Sequence, residues 1–345
     1  MKLVRPVPEI AVIICHHTGT LIEKCLDSVM ASVGVQLEVW VISSQKAFTT
    51  PWAAVKVAYS TEGPAQKRNL GVVLTHSRAP YYVFLDDDVE VSPHCLGAFL
   101  TEMRLRPQCG VGWAKIYNME RRDEFDDCGS WLTWTGFLWA RAQETSESPQ
   151  EDYGQYDTPL RCLASKSATC IMRREAFQAA RGFDPAYFIL GEETDLSWRM
   201  QLLGWESWYL PSAVSWHAFN TSMKPLADYY TLERIHTRGC ANYLSLLTTN
   251  LGLLRLTLIF PWHLLGWSVA LVGYGLLGRW PASRAIWRGA WLYLTHLPAI
   301  LRKRRRVQQA RNVSDRALFR VAWYTPPLTY YVQRLVRYLL GGVHG

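Results

Sequence analysis

The segment Tyr81-Tyr82-Val83-Phe84-Leu85-Asp86-Asp87-Asp88-Val89-Glu90-Val91 decides the fold. Five apolar or aromatic residues run directly into three consecutive carboxylates. A short apolar run of this kind reads as a buried strand of an α/β sheet. The three acids cannot lie inside that sheet, because burying an unpaired charge is too costly. They emerge at the strand's carboxyl end, where open α/β sheets bind their ligands. Crowded carboxylates repel one another unless a cation joins them. Hard oxygen ligands suit Mg²⁺ or Mn²⁺, and Mg²⁺ also takes substrate phosphates as ligands. The segment therefore predicts a strand-end site for a divalent cation and a diphosphate. An acidic surface turn is the plainer alternative, but it has no need of such an apolar lead-in.

Upstream, residues 9–15 read as a first strand, followed by the polar turn 16–20. Residues 21–32 have helical spacing, with Leu21, Cys25, Leu26 and Val29 on one face. Residues 36–42 read as a second strand that ends at Ser43-Ser44-Gln45, and residues 55–59 as a third. Gly63-Pro64 punctuates, and helix formers follow to residue 72. This alternation of strand and helix predicts a Rossmann-like, mostly parallel sheet flanked by helices, with right-handed crossovers.

Downstream, the alternation stops between residues 113 and 170. Residues 129–141 hold Trp131, Trp134 and Trp139, and residues 143–158 are acidic with Pro and Ser. The stretch reads as a long functional insertion, an acceptor platform or lid. Packing of the domain floor by the three Trp rings explains it equally well. Residues 168–173 resume a strand and 174–181 a helix. The loop that follows delivers Glu192 and Glu193 to a helix start, where the dipole favours negative charge. Asp195 and Arg199, four apart, can pair on that helix. Acids at a helix start are commonly simple caps. A last strand spans 208–215, and His217 follows beyond its end; a lone histidine there is more often a hydrogen-bonded structural residue, and the carboxylate motifs favour a ligand.

A chain of 345 residues, 49% of them hydrophobic, suffices for one large domain and an appendage. The eight cysteines form no C-x-x-C pair, which excludes a zinc ribbon or thioredoxin-like motif and fits a reducing compartment. The first apolar run is too short for a signal-peptide core, so the catalytic part is expected in the cytoplasm. The net charge of +8 conceals an asymmetry: from residue 250 onward there are fourteen Arg and Lys against one acid, Asp315. The expected division is a catalytic domain over 1–249 and a basic, Trp-rich helical region over 250–345. Such a tail points to an anionic membrane surface and is too apolar for nucleic acid. Residues 256–278 carry no formal charge and are long enough to span a bilayer. Pro261, His263, Gly266, Gly273 and Gly275 interrupt them, and Trp262, Trp267 and Trp280 suit an interface. Residues 285–301 read as a second apolar helix that stops at Arg302-Lys303-Arg304-Arg305-Arg306, and 316–340 as a third, broken at Pro326-Pro327. The tail is thus expected to lie on the cytoplasmic face of the cell membrane as a monotopic arm, with a true span as the alternative.

Taken in order, the polar turn after the first strand, Gly-Pro-Ala-Gln-Lys-Arg-Asn-Leu-Gly at 63–71, Asp-Asp-Asp at 86–88, Gly-Phe-Asp at 182–184, Gly-Glu-Glu-Thr-Asp-Leu at 191–196 and Trp-His at 216–217 carry a family likeness. The chain resembles the inverting family 2 glycosyltransferases of GT-A fold, in particular their membrane-associated bacterial rhamnosyl- and galactofuranosyltransferase-like branch. The likeness covers residues 9–245. It implies transfer of a hexosyl or deoxyhexosyl group from a UDP- or dTDP-linked sugar, by single displacement. The implied acceptor is a polyprenyl-diphosphate-linked or cell-surface glycan of the envelope.

The resemblance also implies roles. Asp86 and Asp88 form the DXD pair for ribose and metal, with Asp88 the more direct ligand and His217 a further one. Thr18, Glu23, Ser44, Arg68, Asn69 and Asp87 fall at donor-binding positions. Glu192-Glu193 match the pair that holds the general base. Most members have Asp where Glu193 stands, so the base lies one methylene further out, or Asp195 takes the role. Ser43-Ser44-Gln45 replace an acid near the nucleobase, which leaves the donor's base unread. The rival reading is a haloacid-dehalogenase-like phosphohydrolase. That reading wants Thr or Val at position 90, where Glu90 stands, and leaves 182–217 unexplained.

Overall fold

The structure is a computed structural model that describes residues 7–17, 20–75, 78–142, 150–218 and 231–340. Its strands, in chain order, are β1 (Ile10–His16), β2 (Leu37–Ser43), β3 (Val55–Tyr59), β4 (Tyr81–Asp86), β5 (Val89–Val91) and β6 (Cys109–Asn118). There follow β7 (Phe125–Asp127), β8 (Ser130–Leu132), β9 (Leu138–Ala140), β10 (Leu160–Arg161), β11 (Thr169–Arg173) and β12 (Glu206–His217). The helices are α1 (Ile22–Met30), α2 (Pro64–Leu74), α3 (Cys95–Leu105), α4 (Arg174–Ala179), α5 (Glu192–Leu202) and α6 (Leu232–Asn250). The remainder are α7 (Leu253–Leu276), α8 (Trp280–Gln309), α9 (Asp315–Leu318) and α10 (Leu328–Leu340).

One sheet has the order β10-β12-β6-β11-β4-β1-β2-β3, and β8 pairs with β9 separately. The strands β3, β2, β1 and β4 are mutually parallel. β1 is apolar from Ile10 to Cys15 because both of its faces are covered. Ile10, Val12 and Ile14 pack with Leu26 of α1 and Phe99 of α3. Ala11 and Ile13 face the other way, in one cluster with Phe84, Trp113, Phe177 and Leu196. The period-2 alternation of a strand thus feeds two cores from one segment. α2 lies so close to β1 that a Cβ on Gly71 would come 2.4 Å from Ile13 Cγ2.

One sequence expectation is corrected here. The regular sheet continues past residue 113, because β6 runs on to Asn118 through the heart of the sheet. Gly110, Gly112 and Lys115 disguise it as irregular. Gly112 is required there, since a Cβ would lie 2.5 Å from Leu210 Cδ1 of β12. The sheet is mostly parallel, as expected, and β11 is antiparallel to both β4 and β6. The chain between β6 and β11 leaves and returns at one end of the sheet, so no crossover helix is needed. That end is the one where β4 delivers its carboxylates.

The C-terminal segment also departs from expectation. α7 is continuous through Pro261, Gly266 and Gly273. Its glycines make room for neighbours: a Cβ on Gly266 or Gly273 would sit 2.9 Å from Phe137 or Leu339. Among the described residues α7 is the one helix long and apolar enough to cross a membrane, with 22% of its apolar window buried. α8 does not stop at Arg302 but continues to Gln309, since Arg and Lys are good helix formers. α6, which straddles residue 249, packs along α8 so tightly that a Cβ on Gly289 would lie 2.5 Å from the Thr237 carbonyl oxygen.

Two of the five basic residues at 302–306 turn inward. Lys303 Nζ donates to Asp195 Oδ1 at 2.8 Å and reaches Asp184 Oδ2 at 2.5 Å. Arg304 donates to the carbonyls of Thr248 and Leu251 at the end of α6, at 2.5 and 2.6 Å. Arg302, Arg305 and Arg306 remain exposed. Asp195 is fully buried and divides its charge between Lys303 and Arg199, so removal of the lysine leaves it with one cation of two and with one oxygen lacking its charged donor. Lys303→Met is expected to destabilise the fold by about 1–3 kcal/mol, whereas Arg302→Met shifts it by less than about 0.5 kcal/mol. Urea unfolding of the two variants checks the contrast.

Candidate active site

Asp86 ends β4, and Asp87 and Asp88 form the turn into β5. β5 pairs antiparallel with the end of β12, which sets Val89 opposite His217. The Ala218 N–H donates to the Asp88 carbonyl at 3.1 Å and fixes that register. As a result, ligand atoms of Asp86, Asp88 and His217 all lie within 4.8 Å of one another. His217 Nδ1 is 2.8 Å from Asp126 Oδ2, and Asp126 in turn takes Lys166 Nζ at 2.5 Å. With Nδ1–H directed at Asp126, Nε2 faces Asp88 Oδ1 at 3.4 Å.

The charges in this cluster are mutually perturbed. Burial raises the Asp86 carboxyl, Arg68 opposes that rise, and Asp88 adds to it. Asp87 is pushed up to about 7, by burial first and then by Asp88. Burial would lower His217, but Asp88 and Asp126 outweigh it and lift the imidazole to about 10. Excess negative charge in a half-buried cluster is relieved by a cation. Two carboxylates and one imidazole form a donor set that fits Mn²⁺ or Mg²⁺.

A second set of acids lies across Arg68. This guanidinium, 2% exposed, donates to Asp86 Oδ1 at 2.9 Å and to Glu192 Oε1 at 3.1 Å. It lies over the Phe183 ring, 5.3 Å from the centroid. Gly191, at φ 92°, turns the chain into α5, and Glu192 and Glu193 occupy the first turn of that helix. The left-handed conformation there favours glycine. Glu193 remains partly exposed. Its surroundings, and then the neighbouring Glu192 charge, hold its carboxyl well above the usual range.

Several predicted residues are occupied elsewhere. Asp195 is enclosed by Arg199 Nε and Lys303 Nζ, each at 2.8 Å, and by Asn250 Nδ2 at 3.2 Å. Burial would raise its carboxyl, but Arg199 and Lys303 prevail and keep it low. It is an internal counterion with no access to substrate. The Asn69 side chain donates to the Phe183 carbonyl at 2.8 Å and accepts from the Phe183 N–H at 3.0 Å. Arg68 likewise is held by Asp86 and Glu192.

Ser44 Oγ takes Lys67 Nζ at 2.5 Å, and Asp87 Oδ2 takes the His17 N–H at 3.0 Å. Both side chains stay partly exposed at the strand ends. Glu23 is exposed on α1, and Thr18 lies outside the described residues. Trp131 and Trp139 are buried; Trp139 stacks on Tyr324 at 3.7 Å, and Trp131 Nε1 donates to the Val321 carbonyl. Trp134 is half-buried, edge-on to Trp262 and Tyr331 at 5.3 Å each. The packing alternative thus describes Trp131 and Trp139, while Trp134 retains open ring surface.

The sequence reading missed Asp126, Lys166 and Lys67. The one available signal for Asp126 was the acid pair that closes the short apolar approach at Phe125. Lys67, 4% exposed, donates to the His16 carbonyl at 2.7 Å and ties the ends of β1 and β2 together.

An α/β sheet with acids gathered at the carboxyl end of its central strand, and a second acid pair at a facing helix start, defines a sugar-nucleotide-type site. The chain matches the family model "Glycosyltransferase like family 2" over residues 8–234 and belongs to that family. Its fold is therefore GT-A. It is 25% identical over 241 residues to the N-acetylglucosaminyl-diphospho-decaprenol L-rhamnosyltransferase of Mycobacterium tuberculosis, a match that covers 62% of this chain and 78% of that one. Two solved structures are similar at 15% identity. One is GalNAc-T7 with UDP, GalNAc and Mn²⁺, at TM-score 0.48, covering 68% of this chain and 51% of that one. The other is a mannosyltransferase from Pyrobaculum calidifontis in complex with GDP-Man and Mn²⁺, at TM-score 0.47, covering 89% and 90%. This chain spans about half the length of the first of these.

Asp126 should matter to cation binding without touching the ion, because it fixes the orientation of the His217 ring. Asp126→Asn is expected to weaken Mn²⁺ binding roughly 10–100-fold. Asp88→Asn should abolish it. Paramagnetic resonance of free Mn²⁺ in titrations of each variant measures both effects without recourse to turnover.

Proposed function

We propose that this glycosyltransferase is metal-dependent and inverting, and that it moves a hexosyl or deoxyhexosyl group from a nucleotide-diphosphate sugar to a lipid-linked or cell-surface glycan. The observation that carries the reading is the single buried Arg68 that joins Asp86 of the candidate metal cluster to Glu192 beside Glu193. One guanidinium thereby sets the donor end and the base end of the site in fixed relation.

Asp86, Asp88 and His217 would hold a divalent cation. Once bound, the ion would offset the negative charge that grows on the departing nucleotide diphosphate. Asp126 and Lys166 keep His217 turned toward that position. Asp87 and Ser44 line the same strand ends and suit donor contacts. Glu193, the open member of its pair, accepts the proton from the acceptor hydroxyl. The freed oxygen bonds to the anomeric carbon as the bond to the diphosphate oxygen breaks, and that bond's electron pair leaves with the diphosphate. A single displacement of this kind inverts the anomeric centre. Arg68 acts through Asp86 and Glu192, as a positioning residue. Trp134 is the ring with surface left for an acceptor sugar.

The acceptor class follows the mycobacterial relative, whose name specifies a diphospho-decaprenol-linked substrate. A UDP- or dTDP-linked donor accords with such a role. The apolar α7 and the exposed Trp280, Trp287 and Trp291 of α8 support a membrane-bound arm. We place that arm monotopically on the cytoplasmic leaflet. Cysteines introduced near Gly278 and near Arg306 should then react with impermeant reagents from the cytoplasmic side alone. Labelling near Gly278 from the opposite side would establish a span.

Glu193→Gln preserves shape but cannot accept a proton. Transfer should fall by about 10²–10⁴-fold while donor affinity is retained. A base must be deprotonated to act, so a raised carboxyl moves the acid limb of the kcat/KM profile to higher pH. That limb is expected well above the ordinary glutamate value of about 4.3. It should disappear with Glu193→Gln. If Asp195→Asn alone produced that pattern with donor binding intact, the base would be misassigned.

A further inference from the structure

A groove at the start of α7 has no part in the chemistry above. Arg255, Arg316 and Arg320 line it, together with Phe319 and Trp323. It consists of two adjoining hollows of about 470 and 240 Å³ that share Arg255 and Arg316. Arg255 is half-buried, and its guanidinium lies 5.7 Å from the Phe319 ring and 6.0 Å from the Trp323 ring. The stacking holds a planar donor in place ahead of any ligand. The acid in the lining, Asp315, faces inward: its carboxylate takes Arg311 at 2.7 Å and the Gly252 N–H at 2.8 Å. Among the described residues none of the three groove arginines forms an ion pair. Three guanidinium groups in one groove repel one another and attract a multiply charged anion. Their fork geometry matches phosphate oxygens.

The lip of the groove is of the opposite character. Leu253, Leu254 and Leu258 border it and are 71%, 73% and 54% exposed. Beyond them α7 presents Trp262 and Leu265 to the outside. Exposed leucines in series favour hydrocarbon over water. A phosphate that enters among the arginines therefore meets an apolar path directly beside it.

We infer that this groove binds the phosphate headgroup of an anionic membrane lipid, with the acyl chains laid along Leu253, Leu254 and Leu258. The charge complementarity and the adjacent apolar lip select a lipid over a free anion. The inference rests on the membrane-arm reading and sharpens it: the basic anchor lies at 255, 316 and 320, in a shaped site, rather than in the run 302–306.

Co-sedimentation with vesicles tests it. Unaltered protein should bind phosphatidylcholine vesicles that contain phosphatidic acid. The triple variant Arg255→Gln, Arg316→Gln, Arg320→Gln should bind them about a hundredfold more weakly, since each basic group contributes roughly fivefold near an anionic surface. A charge-matched variant, Arg302→Gln, Arg305→Gln, Arg306→Gln, should lose far less. Donor hydrolysis by both variants should equal that of the unaltered protein, which excludes misfolding. Equal losses in the two variants would reduce the effect to diffuse charge and overturn the groove. Vesicle binding by the unaltered protein that the groove substitutions leave intact would overturn the groove alone. Absence of vesicle binding by the unaltered protein would overturn the membrane arm as well. Calorimetry with inorganic phosphate should show no binding; saturation by phosphate would reassign the groove to a free anion.

Discussion

A buried guanidinium is tolerable only where carboxylates meet it, and Arg68 is the constraint on which this site depends. It is contributed by α2, and its partners come from β4 and from α5, 18 and 124 residues away in the chain. Burial opposes its charge, yet the neighbouring acids more than compensate, so it stays cationic. Removing Arg68 would leave Asp86 and Glu192 without the cation that joins them, at a cost that far exceeds that of a surface ion pair. The three elements are therefore locked together by electrostatics before any ligand arrives. Gly71 and Asn69, on the same helix, complete the lock through close approach to β1 and a two-way clamp on Phe183. Asp86 and Glu192 gain a fixed relation to one another from this arrangement.

The elements legible in the sequence were those whose signal is local. β4 announces itself as an apolar run that ends in acids, and β1, β2 and α1 have clean periodicities. The placement of Asp86, Asp88 and His217 in one cluster followed from motif order, and the register of β5 against β12 realises it. β6 escaped because its packing demands glycine at 112 and its end carries Lys115, both of which read as irregularity. Asp126 escaped for a different reason. Its role exists only once β7 folds back on β6 and β12 brings His217 across, and no local pattern encodes that meeting. Arg68 and Asn69, expected at donor-binding positions, are engaged with Asp86, Glu192 and Phe183, partners that spacing alone does not name.

The C-terminal segment reads as an appendage by composition, but its contacts tell of integration. Residues 321–324 join β8 through backbone hydrogen bonds, with the Leu132 N–H on the Ala322 carbonyl and the Tyr324 N–H on the Leu132 carbonyl, at 2.9 and 3.0 Å. Tryptophans of the insertion and tyrosines of the tail stack into one another. A charge count assigns all five residues at 302–306 to the outside; burial assigns Lys303 and Arg304 to α5 and the end of α6. Asn242 of α6 completes the connection by donating to the carbonyls of Ile189 and Leu190, just ahead of the turn that presents Glu193.

The separation of Lys303 from Asp195, 108 residues, also has a meaning in time. A ribosome that adds about 5–20 residues per second needs roughly 5–20 seconds to travel that distance. Throughout that interval the emerging chain holds Asp195 against Arg199 alone. The second cation on this buried acid, and with it the bond that ties α5 to α8, arrives only once α8 has emerged. A chain that stopped short of residue 303 would carry every conspicuous motif and lack that tie. The last consolidation of α5 is in this way linked to arrival of the very segment proposed to bring the protein to its membrane.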